Sequence, residues 1–268
     1  MNILEEIIEY KRKEVEERKS LFPVKLLEKS MHLSPPAVSL KKYLQRTDKC
    51  GIIAEIKRRS PSRGIINPHV SIERTSIGYM QAGASALSIL TDEKYFGGSN
   101  GDLQTARKFN FCPILRKDFI VDEYQIVEAR SIGADAILLI SAALSPDEVR
   151  NLAAFAKSLD LEVLMEIHNK SELEKNLCDE VDLIGVNNRN LKTFKVDLNI
   201  SIELAEEIPD RFIKVSESGI SNPESVLKLK KHGFQGFLIG EYFMGHNRPE
   251  QACTEFVGRI RKLETETD

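Results

Sequence analysis

From residue 52 onward the chain repeats one unit eight times: a short apolar run, then a stretch with helical spacing. The runs fall at 52–56, 86–90, 113–116, 136–140, 162–167, 182–186, 212–216 and 236–239. Most are continuous blocks of Ile, Leu, Val and Ala rather than alternating ones, which is how strands covered on both faces read. Helical periodicity fills intervals such as 123–131, 146–158 and 223–231. Gly83, Gly133 and Gly233 each sit just before a run, where glycine supplies a left-handed helix end. Ser145-Pro146, Asn169 with Glu172 three residues on, and Asn222-Pro223 mark helix starts. Eight such units in about 215 residues predict an α/β protein, a closed (β/α)8 TIM barrel. A doubly wound sheet is the alternative. It usually has fewer strands and often opens on a G-x-G-x-x-G turn, which is missing here.

The first run starts only at residue 52. Before it, Ile3, Leu4, Ile7, Ile8 and Val15 have amphipathic helix spacing over residues 2–19, and 22–46 reads as a second helical stretch with a loop at Pro35-Pro36. Residues 1–50 are therefore expected to be a helical extension packed on the barrel, with a partner-binding arm as the other reading. No linker or low-complexity segment divides the sequence, so residues 1–268 are expected to form a single TIM-barrel domain.

Composition excludes several classes. With 41% hydrophobic and 29% charged residues the chain suits a soluble protein with a sizeable core. A net charge of −3 does not suggest nucleic-acid binding. No apolar run approaches a membrane span, and the acidic start is unlike a signal peptide. Cys50, Cys112, Cys178 and Cys253 are scattered without C-x-x-C or metal-ligand spacing, as expected of reduced thiols in a cytoplasmic protein.

Charge at the end of a buried strand is costly unless it has a partner or a task. In a barrel, the carboxyl ends of the strands are where chemistry sits. Glu55 and Lys57 end the first run, Lys117 the third, Glu166 the fifth and Glu217 the seventh. Opposite signs can stay ionised together, and burial can tune one lysine toward a general acid and one glutamate toward a base. An inert ion-pair network is the other reading. The loop Lys57-Arg58-Arg59-Ser60-Pro61-Ser62-Arg63-Gly64 combines cations and hydroxyls suited to a phosphate or carboxylate, or is simply a solvated basic loop. Ser216-Glu217-Ser218-Gly219 and Leu238-Ile239-Gly240-Glu241 place glycines after strands seven and eight, a frequent phosphate site in barrels. Asn187-Asn188-Arg189-Asn190 suggests ligand contacts or a turn held by its own side chains. His168, just past Glu166, reads as a loop residue. Nucleophile-elbow, Walker and metal-spaced motifs are absent from the sequence.

These segments, in this order, closely resemble the indole-3-glycerol phosphate synthase family. The resemblance is carried by Ala54-Glu55-Ile56-Lys57-Arg58-Arg59-Ser60-Pro61-Ser62, Tyr95-Phe96-Gly97-Gly98-Ser99, Leu115-Arg116-Lys117-Asp118-Phe119, Met165-Glu166-Ile167-His168 and Gly185-Val186-Asn187-Asn188-Arg189. It continues through Ser216-Glu217-Ser218-Gly219-Ile220 and Leu238-Ile239-Gly240-Glu241. It covers nearly the whole chain, the N-terminal extension included. It implies a cofactor-free and metal-free lyase of tryptophan biosynthesis. The reaction is ring closure, decarboxylation and dehydration of 1-(o-carboxyphenylamino)-1-deoxyribulose 5-phosphate to indole-3-glycerol phosphate.

By resemblance, Lys117 is the general acid of ring closure and Glu166 the acid/base of dehydration. Lys57 holds the substrate carboxylate and assists ring closure. Glu55 and Glu217 complete the polar network, and Asn187 and Arg189 orient substrate hydroxyls and nearby charge. Ser60, Ser218, Gly219 and Gly240 bind phosphate, while Phe96, Phe119 and Leu138 line the aromatic-ring pocket. A phosphorylated small molecule is the expected partner, with a monomer the expected state and no fused phosphoribosylanthranilate isomerase domain. The sequence departs from many members at Asn188, Asn190 and Glu241. Glu241 is expected to turn away from the phosphate, leaving the Gly240 amide to bind it. Two other readings are the isomerase that makes this substrate and a sugar-phosphate sensor without turnover. The isomerase needs a different acid/base pair, and the sensor could lose the Lys57/Lys117/Glu166 trio, which is intact here.

Overall fold

The computed structural model describes residues 3–267. Met1, Asn2 and Asp268 lie outside the described residues, so the expected N-terminal helix is followed from Ile3. Eight parallel strands close a barrel: β1 (Ile52–Ile56), β2 (Ala86–Leu90), β3 (Ile114–Lys117), β4 (Ala136–Ile140), β5 (Glu162–Ile167), β6 (Leu183–Asn187), β7 (Ile213–Glu217) and β8 (Phe234–Ile239). Each strand pairs with its neighbours in sequence, and β1 pairs with β8. Helices connect successive strands, and Pro249–Thr267 follows the last. The expected barrel is the observed one.

Period-two alternation divides the core. Ile53, Leu115, Leu138, Leu164, Leu183, Ile213 and Leu238 pack together inside the barrel. Ile52, Ala54, Leu87, Ile137, Val163 and Ile184 pack outward under the helices. The same alternation carries Glu55, Lys117, Glu166, Asn187 and Glu217 inward, two or four residues beyond these interior residues. Register sets them level: Glu166 pairs with Gly185, and Asn187 with Glu217.

The helix boundaries follow the residues named from sequence. Ser145 and Glu148 form a reciprocal capping box, and Asn169 and Asn222 cap their helices. Gly83, Gly133 and Gly233 have positive φ. β3, β6 and β7 each end one residue later than the apolar runs do, because ladder hydrogen bonds carry on past the last apolar side chain. β8 begins earlier, at Phe234, across a register irregularity that leaves Gln235 exposed.

The extension differs from expectation in its second half. α1 (Ile3–Leu21) buries Ile7, Lys11 and Val15 along one stripe, with acidic residues in its first turn and basic ones in its last, matching the helix dipole. Residues 22–46 are not a single helical stretch. They contain a turn at Val24–Leu27, a 3-10 turn at Met31–Leu33 and a short helix at Leu40–Leu44. The backbone N–H groups of Ala37 and Val38 instead donate to Asp160 and Asp135 of the barrel, and Ser39 caps the last helix. Pro35-Pro36 cannot supply helical donors, so tertiary partners replace helical ones.

Candidate active site

At the carboxyl ends of the strands lies a cavity of about 320 Å³. The residues to which the family resemblance gives roles all line it: Glu55, Lys57, Ser60, Phe96, Lys117, Phe119, Leu138, Glu166, Asn187, Arg189, Glu217, Ser218, Gly219 and Gly240; Arg58, Arg59, Asn188 and Asn190 of the two polar loops do not.

Lys117 stands at the centre of its charges. Its Nζ lies 3.2 Å from Glu166 Oε2 and also donates to Glu217 Oε2. Burial disfavours the Lys117 charge, but Glu217, Glu166 and Glu55 outweigh it and raise its pKa, so it stays an ammonium. Burial pushes Glu217 up to about 7; Lys117 opposes this, and Glu166 and Glu55 reinforce it. Glu166 is also opposed by burial, yet Lys117, His168 and the Asn187 amide hold it below the usual carboxylate range. Two neighbouring carboxylates with divergent proton affinities are a pattern of acid–base sites. Asn187 donates to Glu166 Oε1 at 3.1 Å and accepts from the Arg189 N–H at 3.0 Å, which fixes its amide. Lys57 donates to Glu55 Oε1 at 2.7 Å.

Two glycines are required by close approach. A Cβ on Gly185 would stand 2.2 Å from Glu217 Oε1, and one on Gly240 would stand 2.4 Å from Glu55 Oε1. Gly185→Ala is therefore expected to displace the Glu217 carboxylate from Lys117. It should lower kcat about tenfold or more, since small misplacements at a reacting centre have large rate effects. Far-UV circular dichroism should be unchanged; an active, unaltered enzyme would show that the position of Glu217 does not matter.

The far end of the cavity suits an anion. Ser218 and Gly219 are both left-handed, φ 68° and 81°, a costly conformation for serine that turns successive N–H groups into a concave nest. Asn188, fully buried, holds that turn through the Glu217 and Ser218 carbonyls and also bonds Ser216 and Ser201. Asn188 was not read from the sequence as a support; its place beside a run of asparagines hid that role. Ser60 is buried and caps the basic loop through the Arg63 N–H, 3.3 Å. Glu241 stands beside Gly240 at the cavity rim. It lines the cavity and pairs with Arg63 Nε at 2.7 Å and an Arg189 guanidinium nitrogen at 3.0 Å, so its charge is met by two cations.

The opposite wall is apolar. Phe96 and Phe119 lie 5.9 Å apart, tilted, near Leu138. Ile3, Leu4 and Ile7 of α1 also line the cavity. Their spacing places these three on an amphipathic helix but does not reveal a place at the site. Among the described residues, no group of three His, Cys, Asp or Glu side chains is placed to hold a metal ion.

The fold and cavity define a (β/α)8 barrel whose strand-end cavity holds a buried lysine–glutamate cluster, two left-handed backbone residues and an aromatic pair. A family model described as indole-3-glycerol phosphate synthase matches residues 4–256. An indole-3-glycerol phosphate synthase of Bacteroides thetaiotaomicron is 48% identical over 260 residues, covering 97% of this chain and 99% of the relative. Those of Campylobacter fetus and Acinetobacter baylyi are 46% and 42% identical, each covering 96% of this chain and 99% and 96% of their own lengths. The chain belongs to the indole-3-glycerol phosphate synthase family. Among solved structures, one described as native KDPGal aligns with a TM-score of 0.56 at 13% identity, covering 80% of this chain and 94% of that one. That likeness concerns the barrel fold.

Proposed function

We propose that this chain converts 1-(o-carboxyphenylamino)-1-deoxyribulose 5-phosphate to indole-3-glycerol phosphate, carbon dioxide and water. The observation that carries the reading is the Lys117–Glu166–Glu217 cluster, set between a left-handed Ser218-Gly219 turn and the Phe96/Phe119 wall. Phosphate fits the amide and hydroxyl donors of Ser60, Ser218, Gly219 and Gly240. The anilino ring fits Phe96, Phe119 and Leu138. In the first step the ring carbon bearing the carboxylate attacks the ketone, and Lys117 gives a proton to the developing alkoxide. Lys57 holds the carboxylate until carbon dioxide leaves and aromaticity returns. Glu166 then serves the departing hydroxyl, oriented by Asn187. Glu217 keeps Lys117 charged, Glu55 accepts the hydrogen bond that places Lys57, and Arg189 orients nearby charge.

The proposal includes a cytoplasmic monomer with residues 1–268 as one barrel domain. Four buried, unpaired cysteines suit a reducing compartment. Light scattering after size exclusion tests the monomer. For the activity, indole fluorescence should rise when the purified protein meets this substrate without added metal or nucleotide. A flat trace with saturable binding would instead make the chain a non-catalytic sugar-phosphate binder.

A further inference from the structure

The reaction proposed above, on which this inference rests, does not conserve solvent protons. The substrate loses a benzoate carboxylate as neutral carbon dioxide, so each turnover takes up one proton. Two protons enter, one at the ketone oxygen and one at the departing hydroxyl. One leaves, from the carbon beside the nitrogen, as the indole becomes aromatic. That outgoing proton can return through Glu217 to Lys117, which are in direct contact. Glu166 is then the group that must be recharged from water, yet its side chain is only 6% exposed.

One side chain is placed to do this. His168 Nε2 lies 3.5 Å from Glu166 Oε1, and it is buried with no hydrogen-bond partner among the described residues. On the other side of the ring, Nδ1 lies 3.2 Å from Glu172 Oε2. Glu172 is itself fixed, accepting from the His168 N–H at 2.8 Å and the Asn169 amide at 2.8 Å. It is 21% exposed, so this end of the chain of groups reaches solvent. A carboxylate on Nδ1 sets that nitrogen as a donor and aims Nε2 at its target. The two oxygens of Glu166 are thereby divided: Oε1 faces His168 and Asn187, and Oε2 faces Lys117.

We propose that His168 is a positioning residue that acts through Glu166, holding its carboxyl and delivering to it the solvent proton consumed in each turnover. The imidazolium N–H at Nε2 gives its proton to Glu166 Oε1. Glu166 passes a proton to the departing hydroxyl, which leaves as water. The neutral ring is left with its proton on Nδ1; it turns its bare Nε2 to the Glu172 side, takes a proton there from solvent and turns back. The charged groups facing the ring are Glu166, Glu172 and Glu217. Burial works against a charged ring, but the Glu172 hydrogen bond and these carboxylates outweigh it and raise its pKa. Glu166 is held ionised, so it must receive a proton before it can act as an acid.

The test compares the parent enzyme with His168→Gln and Glu172→Gln, measuring kcat and KM by indole fluorescence from about pH 5.5 to 9. Glutamine can still donate to Glu166 but cannot carry a proton through. His168→Gln is expected to lose about 10- to 100-fold in kcat, within the range of proton-transfer catalysis, with KM within about twofold. The parent's alkaline decline should disappear from its profile. Glu172→Gln keeps the ring and removes its charge partner, so its alkaline decline should move to lower pH. Free imidazole should restore turnover to His168→Ala in proportion to imidazolium concentration. A kcat and pH profile of His168→Gln matching the parent would overturn the relay, as would a rise in KM alone. If His168→Gln does not fold, an unmoved alkaline decline in Glu172→Gln overturns it equally. A parent that leaves the substrate unchanged overturns the functional reading instead, which an active parent separates from failure of the relay.

Discussion

Lys117→Ala is expected to lower kcat/KM about a thousandfold or more, while affinity for the product's phosphate end changes little. Two effects combine. The proton donor to the developing alkoxide is lost, an effect of about 10²–10⁴ for general acid catalysis. The positive charge between Glu166 and Glu217 also goes, so that two carboxylates face each other across the space Nζ held. Like charges at that spacing cannot both ionise, and one takes up a proton. Glu217 is the candidate, since burial has already pushed it up to about 7. Lys117→Arg should not restore the rate: a guanidinium cannot give up its proton in this range and is too large for the gap. The proposed phosphate site at Ser218, Gly219 and Gly240 lies just past two other strands and should survive. Turnover by indole fluorescence and product binding by titration separate the two. Parent-like turnover in the alanine variant would remove Lys117 from the chemistry.

Much of this site was legible because barrels convert sequence position into place. An apolar run gives the strand, its alternation gives the inward face, and the first charged inward residue past the run falls at the carboxyl end. Lys117 and Glu217 follow from that rule alone, and Glu55 and Glu166 from its near relative, a charge inside the last turn of the alternation, one residue before the run ends. What stayed hidden depends on side-chain geometry between elements. His168 looks like any loop histidine until Glu172, a helix-capping partner four residues on, is found turning its ring toward Glu166. The sequence does not show what meets the Glu241 charge, because its two guanidinium partners come from loops 178 and 52 residues away. The broken stretch at 22–46 was read as helical because its apolar spacing permits that. The barrel acids that take its backbone N–H groups have no local signature. Lys11 lies on the buried stripe of its helix, where the apolar spacing alone gives no reason to place a charge.

Lys11→Met is expected to destabilise the protein by about 3–5 kcal/mol, the usual effect of removing one partner from a buried charge cluster. Lys11 is 1% exposed, and its Nζ lies 2.9 Å from Asp92, 3.0 Å from Asp118 and 2.9 Å from Glu14. Asp118 keeps Thr91 and Arg116 after the change, but Asp92 loses its only ion-pair partner among the described residues. Methionine fills the stem's volume, so the loss is chiefly electrostatic. Burial alone would raise the Asp118 pKa; Lys11 and Arg116 overcome it and hold the carboxyl far below the ordinary range. A depressed carboxyl contributes stability above its unfolded value of about 4 and loses it as pH falls through the folded value. In Lys11→Met that depression weakens, so the stability difference between parent and variant should narrow on acidification. Urea unfolding at neutral and acid pH measures both effects. Lys13→Met, on the exposed Lys13–Glu9 pair of the same helix, should be indistinguishable from the parent. The variant also links stability to catalysis. Lys11 ties α1 to Asp118, the neighbour of Lys117, and the same helix carries Ile3, Leu4 and Ile7 into the cavity wall. Loosening α1 should therefore lower kcat/KM at temperatures where the barrel is still folded. Activity that persists until the barrel itself unfolds would show that the helix braces the fold without shaping the site.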